Sequence, residues 1–192
     1  MSRRGSRAVK RPVKPDARYG SEIVSLMINM VMKEGKKQLA SSIVWSALDR
    51  FQKNEVVKKA LVDQQSADVN DSQEEATEAK REVVLDHATQ MSALIHMLIE
   101  KAGPEVELKS KRLGGANIQA PVAVRPARKI TLALRSIIKN ARNRISQMKS
   151  MVNALAQEMI DVIKGSAKTL DDKEQLLRMA KANAVFQGSR RG

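Results

Sequence analysis

From Lys109 to Lys149 the chain runs for 41 residues with eleven Lys or Arg and no Asp or Glu. Such a segment cannot neutralise its own charge. Whatever it folds into leaves cations on a surface, and a surface of a single sign calls for a polyanionic partner. Residues 1–18 add seven bases (Arg3, Arg4, Arg7, Lys10, Arg11, Lys14 and Arg18) against the one acid Asp16. These two segments carry +11 and +6, while the whole chain carries +14, so the remainder is net acidic. Charge added only for solubility would be scattered.

Just before the acid-free segment and into it, the apolar period changes. Val106 and Leu108, then Ile118, Ala120, Val122 and Val124, alternate with polar or small residues, and Gly114-Gly115 lies between the two runs. This predicts a β-hairpin over about 105–125, with Lys109, Lys111 and Arg112 near its tip. A lone two-stranded ribbon is marginal in water, so it must lean on helices or be ordered by a partner. After it, Pro126 suits a first helical turn. Ile130, Leu134, Ile137, Ile138, Ala141 and Ile145 then fall within a sector of roughly 100° on a helix, and Arg128, Arg135, Lys139 and Arg142 within another about 120° away. One face packs inward and the other presents a row of cations. An ordinary solvated face usually mixes signs.

The rest of the chain has helical period. Ser21 is placed to cap a helix carrying Ile23, Met27, Met30 and Val31, which ends at Gly35 with Lys36 and Lys37 on the turn. Leu39, Ile43, Ala47 and Leu48 mark a second helix, with Trp45 and Phe51 nearby and Trp45 read as core packing. Ala76, Ala79, Val83, His87, Met91, Leu94 and Leu98 continue at helical spacing as a third, unbroken or in two pieces, ended by Gly103-Pro104. Met148, Met151, Val152, Leu155, Met159 and Ile163 mark a fifth, stopped by Gly165. A last helix runs from about Leu170 to Phe186, with Leu176, Met179 and Ala180 inward and a Thr169/Asp172 capping box. From Asp63 to Ala79 there are six acids and no bases. That composition predicts a mobile acidic insertion within about 53–82, with Ser72 and Glu75 placed as a capping box where a helix resumes. The predicted architecture is mainly α, a bundle of about six helices with a protruding two-stranded β-hairpin. It comprises a flexible basic arm at 1–18, a single helical domain at 19–186 and a mobile tail at 187–192.

Composition narrows the chemistry. Aromatic residues are only 2% of the chain, so bases are not held mainly by aromatic stacking. Without cysteine there is no disulfide, thiolate metal site or thiol nucleophile. His87 and His96 are nine residues apart, about half a turn out of phase, which separates them as metal ligands. No Walker loop, dinucleotide fingerprint or serine elbow is present, and Glu74-Glu75 and Asp171-Asp172 are surface pairs rather than an acid/base couple. Neither catalysis, a cofactor nor a metal is expected. No apolar run reaches the roughly 18–20 residues that span a bilayer, and the charged N-terminus is no secretory signal.

The run from Pro104 to Ala116 (PEVELKSKRLGGA), followed by Gln119 to Pro126 (QAPVAVRP), resembles the hairpin of the bacterial small-subunit ribosomal protein seven family. The resemblance extends to Asp16–Glu22, Gly35-Lys36-Lys37, Ser42–Leu48 and Arg178–Asn183, and so to most of 12–52 and 86–186. It implies about six helices with a protruding ribbon. It further implies a structural constituent of the small ribosomal subunit that binds ribosomal RNA and nucleates assembly of the head. Exit-site transfer RNA, the messenger RNA path and small-subunit proteins nine and eleven would be neighbours, in a cytoplasmic ribosome of bacterial type; an organellar ribosome stays open. RNA contacts would fall on Arg3, Arg4, Arg7, Lys10 and Arg11 of the arm, Lys36 and Lys37, and Lys109, Lys111 and Arg112 of the ribbon. Arg125, Arg128, Lys129, Arg135, Lys139 and Arg142 would complete them. The chain departs from the family in its longer acidic stretch, in the mixed charges of Leu170–Glu174 before the last helix, and in a C-terminal end without the family's aromatic residues. From the residues alone, a DNA-binding architectural protein and a helical scaffold for acidic proteins are the alternatives.

Overall fold

The apolar periods are met by helices that enclose one core. A computed structural model describes residues 12–61, 87–113 and 115–184. In chain order these form α1 (Glu22–Val31), α2 (Lys37–Lys53), α3 (55–61), α4 (His87–Ala102), β1 (Val106–Leu113) and β2 (Ala116–Ala123). There follow α5 (Pro126–Asn143), α6 (Ile145–Met148), α7 (Met151–Lys164) and α8 (Lys168–Ala182). Six of these helices have ten residues or more, and α3 and α6 are short additions. The arm to residue 11, residues 62–86 with most of the acidic stretch and its Ser72/Glu75 capping box, and the tail from 185 lie outside the described residues. The first part of the 53–82 stretch is ordered as α3, and its Val57 is fully buried.

At the centre is α7. From Ala154 to Ile163 every residue but Gln157 is buried. A helix covered on all sides must be packed by several neighbours, and α2, α4, α5 and α8 all pack against it. Ser150 caps it, its Oγ accepting from the amide of Val152, and Gly165 ends it at φ +86°, where other residues are strained. The core is aliphatic and thioether-rich: Met27, Met91, Met159, Leu48, Leu94, Leu98, Leu134 and Leu155 are fully buried, with Phe51 as the fully buried aromatic.

Burial of α7 takes Glu158 with it, at 0% exposure. Its Oε1 accepts from the Thr169 hydroxyl at 2.7 Å and the Thr169 amide at 3.2 Å. Its Oε2 faces Arg144 Nη1 at 3.0 Å, and the same nitrogen lies 2.6 Å from Asp161 Oδ2. Asn140 Nδ2 donates to Thr169 Oγ1 and to Asp172 Oδ2. One network thus joins the end of α5, the turn into α6, the middle of α7 and the start of α8. Thr169 is therefore not the cap of α8. The backbone of Ala167 takes the capping position, and Thr169 is turned inward as the ligand of a buried carboxylate.

Cations also close helix ends. Lys101 Nζ donates to Ile163 O at the end of α7, and Lys173 Nζ to Lys101 O at the end of α4. Arg142 Nη2 donates to Met30 O and Val31 O at the end of α1. Each positive group sits at the negative end of a helix dipole, on carbonyls without an intrahelical partner.

Several sequence expectations shift. α5 stops at Asn143, so Ile145 leaves its inward face and is exposed in α6. Leu39 begins α2 but is 59% exposed. Met148 belongs to α6, because the left-handed Lys149 breaks the helix before α7. The last helix ends at Ala182 rather than Phe186, and Met179 is exposed. Ser21 holds the cap position of α1, but its side chain makes no capping bond. Trp45 is half-buried against the core and donates its indole N–H to Asp16 Oδ2 at 3.1 Å.

That bond belongs to a clasp at the root of the basic arm. Asp16 also accepts from the amides of Arg18 and Tyr19, while the buried Tyr19 donates its hydroxyl to Asp49 Oδ1 at 2.9 Å and Arg18 pairs with the same oxygen. Burial first, and then the bond to the Asp49 carboxylate, push the Tyr19 phenol up to about 12. The folded state thus holds this proton more tightly than the unfolded chain, whose tyrosine titrates near 10. The stability it contributes is complete below about pH 10 and lost as pH rises through about 12. The chain has one tyrosine, so phenolate absorbance should show a single step near pH 12 in the folded protein and near 10 in denaturant. Arg144→Ala leaves Glu158 buried without its cation; urea unfolding should show a loss of about 3 kcal/mol. The exposed Arg135→Ala should stay within about 0.5 kcal/mol of the parent.

Candidate nucleic-acid interface

The ribbon is a two-residue-loop hairpin in the register Val106↔Ala123 to Leu113↔Ala116, with Gly115 at φ +92°. Its base leans on α8, and Leu108, Leu132, Leu176 and Met179 line the groove between them. Pro121 stands opposite Leu108 on a strand with a free edge, where a missing N–H is tolerated. Gly103 delivers the chain from α4 to the ribbon. A Cβ there would meet Ile99 O at 2.6 Å and the Lys129 stem at 2.7 Å, so the close approach of α5 depends on glycine.

On α5, Leu134, Ile137, Ile138 and Ala141 are buried and Arg128, Arg135, Lys139 and Arg142 are exposed. The two predicted sectors are therefore real faces. Arg128 is not a bare cation: it grips Glu107 of β1 through both carboxylate oxygens, at 2.6 and 3.4 Å. That hydrogen bond, helped by Lys109 and Arg135, holds the Glu107 carboxyl below its ordinary range, so the link between ribbon and α5 stays charged. Since the pair is exposed it orients more than it stabilises. Lys129 is half-buried, its stem covering Gly103.

Arg135 and Lys139 line the groove shared with β1 and α8, and, with Arg142, a second groove beside Met30 and Ile138. Arg142 and Lys36 line a third, at the α1–α2 loop. A continuous cationic band thus follows α5 from the ribbon base to the α1–α2 loop, where Lys37 is also exposed. Lys109, Lys111, Arg112 and Arg125 are exposed along or just after the ribbon. Arg3, Arg4, Arg7, Lys10 and Arg11 lie outside the described residues.

Two cations emerge only from the fold. Lys33 joins Lys36 and Arg142 on the third groove, and Lys173 of α8 faces Arg135 and Lys139 across the first. Burial and the nearby Lys129 lower the Lys173 ammonium, against a smaller opposing pull from Glu105. Lys33 had a signal in its nearness to Lys36-Lys37; Lys173 had none, as its neighbours Asp171, Asp172 and Glu174 mask it. Conversely, Arg144 sits in the acid-free segment but is spent on Glu158 and Asp161.

Among the described residues no three His, Asp or Glu side chains gather to hold a metal, and no helix is long and apolar enough to cross a membrane. The described arrangement presents an extended row of positive charge.

The family described as "Ribosomal protein S7p/S5e" matches residues 2–184. A protein of Chloroflexus aggregans named small ribosomal subunit protein uS7 is 37% identical over 186 residues, covering 97% of this chain and 96% of its own length. Proteins of the same name from Chelativorans and Brucella melitensis are 34% and 36% identical, each with 97% of both chains covered. With its helices, ribbon and cationic band in place and these matches along nearly its whole length, the chain belongs to the ribosomal protein S7p/S5e family, as a bacterial-type member that is a structural component of the ribosome and not an enzyme.

Proposed function

We propose that this chain is a primary binder of small-subunit ribosomal RNA in the cytoplasmic ribosome and nucleates assembly of the subunit's head. The observation that carries this reading is the cationic band. From Lys109 to Lys149 every charged side chain is basic, and among the described residues Glu107 pairs with Arg128 while Glu158 and Asp161 pair with Arg144. Ribbon, α5 and the α1–α2 loop contribute to one surface that can follow a folded phosphate backbone. With so few aromatic residues, recognition rests on backbone charge and RNA shape more than on stacked bases. The family resemblance adds exit-site transfer RNA, the messenger RNA path and small-subunit proteins nine and eleven as neighbours.

Binding to a head-region fragment of the RNA should weaken roughly a thousandfold or more between about 50 and about 200 mM salt if six or more phosphates are neutralised. A nearly flat dependence would sink the proposal. Arg135→Glu with Lys139→Glu should cut affinity at least about tenfold and flatten the salt slope, with an unchanged melting curve. Arg142→Glu is a different test. It also strips the end of α1, and should cost about 1–2 kcal/mol of stability in urea titrations. In sedimented cell extract the chain should travel with the small subunit.

A further inference from the structure

One lysine of the groove between ribbon, α5 and α8 is set apart from the rest of the band. Lys173 is half-buried, and its Nζ donates to Lys101 O at 2.8 Å, which ties the amine to the end of α4. The groove it lines holds about 430 Å³. Leu108, Leu132, Leu176 and Met179 give that groove an apolar side, and Arg135 and Lys139 stand on it as exposed cations. Its two acids are engaged, Glu107 with Arg128 and Asp172 with the Asn140 amide. Burial first, and then Lys129 of α5, lower the Lys173 ammonium, while Glu105 pulls the other way. A lysine that sheds its proton through burial and a neighbouring cation is a nucleophile at lower pH than one in open water. Helix capping accounts for the carbonyl contact, but not for such an amine facing two cations across an apolar-sided groove.

We propose that this groove takes up a short-chain acyl phosphate and that Lys173 Nζ is the atom it acylates. Arg135 and Lys139 receive the phosphate by charge-assisted hydrogen bonds. The acyl chain lies against the apolar side, toward Leu176 and Met179. Nζ attacks the acyl carbon, and the bond from that carbon to the phosphoryl oxygen breaks. Inorganic phosphate leaves, and the nitrogen gives its surplus proton to water. The product amide keeps an N–H for the Lys101 carbonyl but carries no charge, so the groove loses one cation. A donor without a phosphate on its reacting carbonyl gains nothing from Arg135 and Lys139. This chemistry concerns the chain before it meets RNA and is independent of the RNA-binding reading.

The test incubates the full chain with acetyl phosphate and follows acetylation of each lysine by peptide mass spectrometry. Lys173 should react at least about tenfold faster than the exposed Lys58 and Lys59 of α3. Its rate should rise with pH and level off below the ordinary lysine value of about 10.4. Arg135→Gln with Lys139→Gln should bring Lys173 down to the rate of Lys58 with acetyl phosphate. The same variant should leave its rate with p-nitrophenyl acetate, an uncharged donor, unchanged. Inorganic phosphate, at an ionic strength held constant with chloride, should slow Lys173 and spare Lys58 and Lys59. The proposal is overturned if Lys173 reacts no faster than those two lysines. It is equally overturned if the double variant or phosphate leaves its lead intact, because Lys173 would then be a reactive amine without a site for the donor. An equal fall with both donors places the effect on the amine itself and removes the donor site as well. Both substituted side chains are exposed, and an unchanged melting curve should accompany the substitutions.

Discussion

The fold depends on a carboxylate with no access to water. Glu158 lies in the middle of the most enclosed helix, and its charge is tolerable only because Arg144, Thr169 and their partners Asn140 and Asp161 stand around it. Ionic groups at such a depth are costly unless every partner is in place. The same requirement fixes how α5 ends, where the middle of α7 sits and where α8 starts. The row of cations on α5 has a fixed bearing relative to the ribbon and the α1–α2 loop because the far end of that helix is held by this network.

Basic residues in this protein therefore divide into two populations. Arg144, Lys101 and Lys173 are engaged with a buried acid or with helix-terminal carbonyls. Arg135 and Lys139 are exposed on the band and carry none of the helix-end contacts. Arg142 belongs to both groups, since it caps α1 while lining two grooves. Net charge alone does not distinguish these roles, and a binding surface estimated by counting lysines and arginines would be too large.

The architecture was legible from period and punctuation. The switch to alternation around Gly114-Gly115, Pro126 at the first turn of α5 and Gly165 at the end of α7 are local chemistry, and each element formed where that chemistry directs. Tertiary contacts were not legible in the same way. Thr169 reads as a cap because the sequence cannot show that Glu158 lies 2.7 Å away, eleven residues upstream. Leu39 and Ile145 read as core because an apolar residue in register normally is, and only the folded chain shows them partly open to solvent. On the site, the α5 sectors were correct because helical geometry determines them. The partners of Arg128 and Arg142 come from other elements, so the sequence pattern around them held no trace of either.

The ribbon has a second consequence, for the protein before it meets RNA. A two-stranded sheet has two open edges, each a row of unpaired backbone groups ready to add a strand from another molecule. Here β1 carries Lys109, Lys111 and Arg112, and Pro121 removes a donor from β2. Two such ribbons approaching edge to edge would bring like charges together and meet an interrupted ladder. The charge proposed to meet RNA thus also disfavours edge-to-edge pairing of two such ribbons.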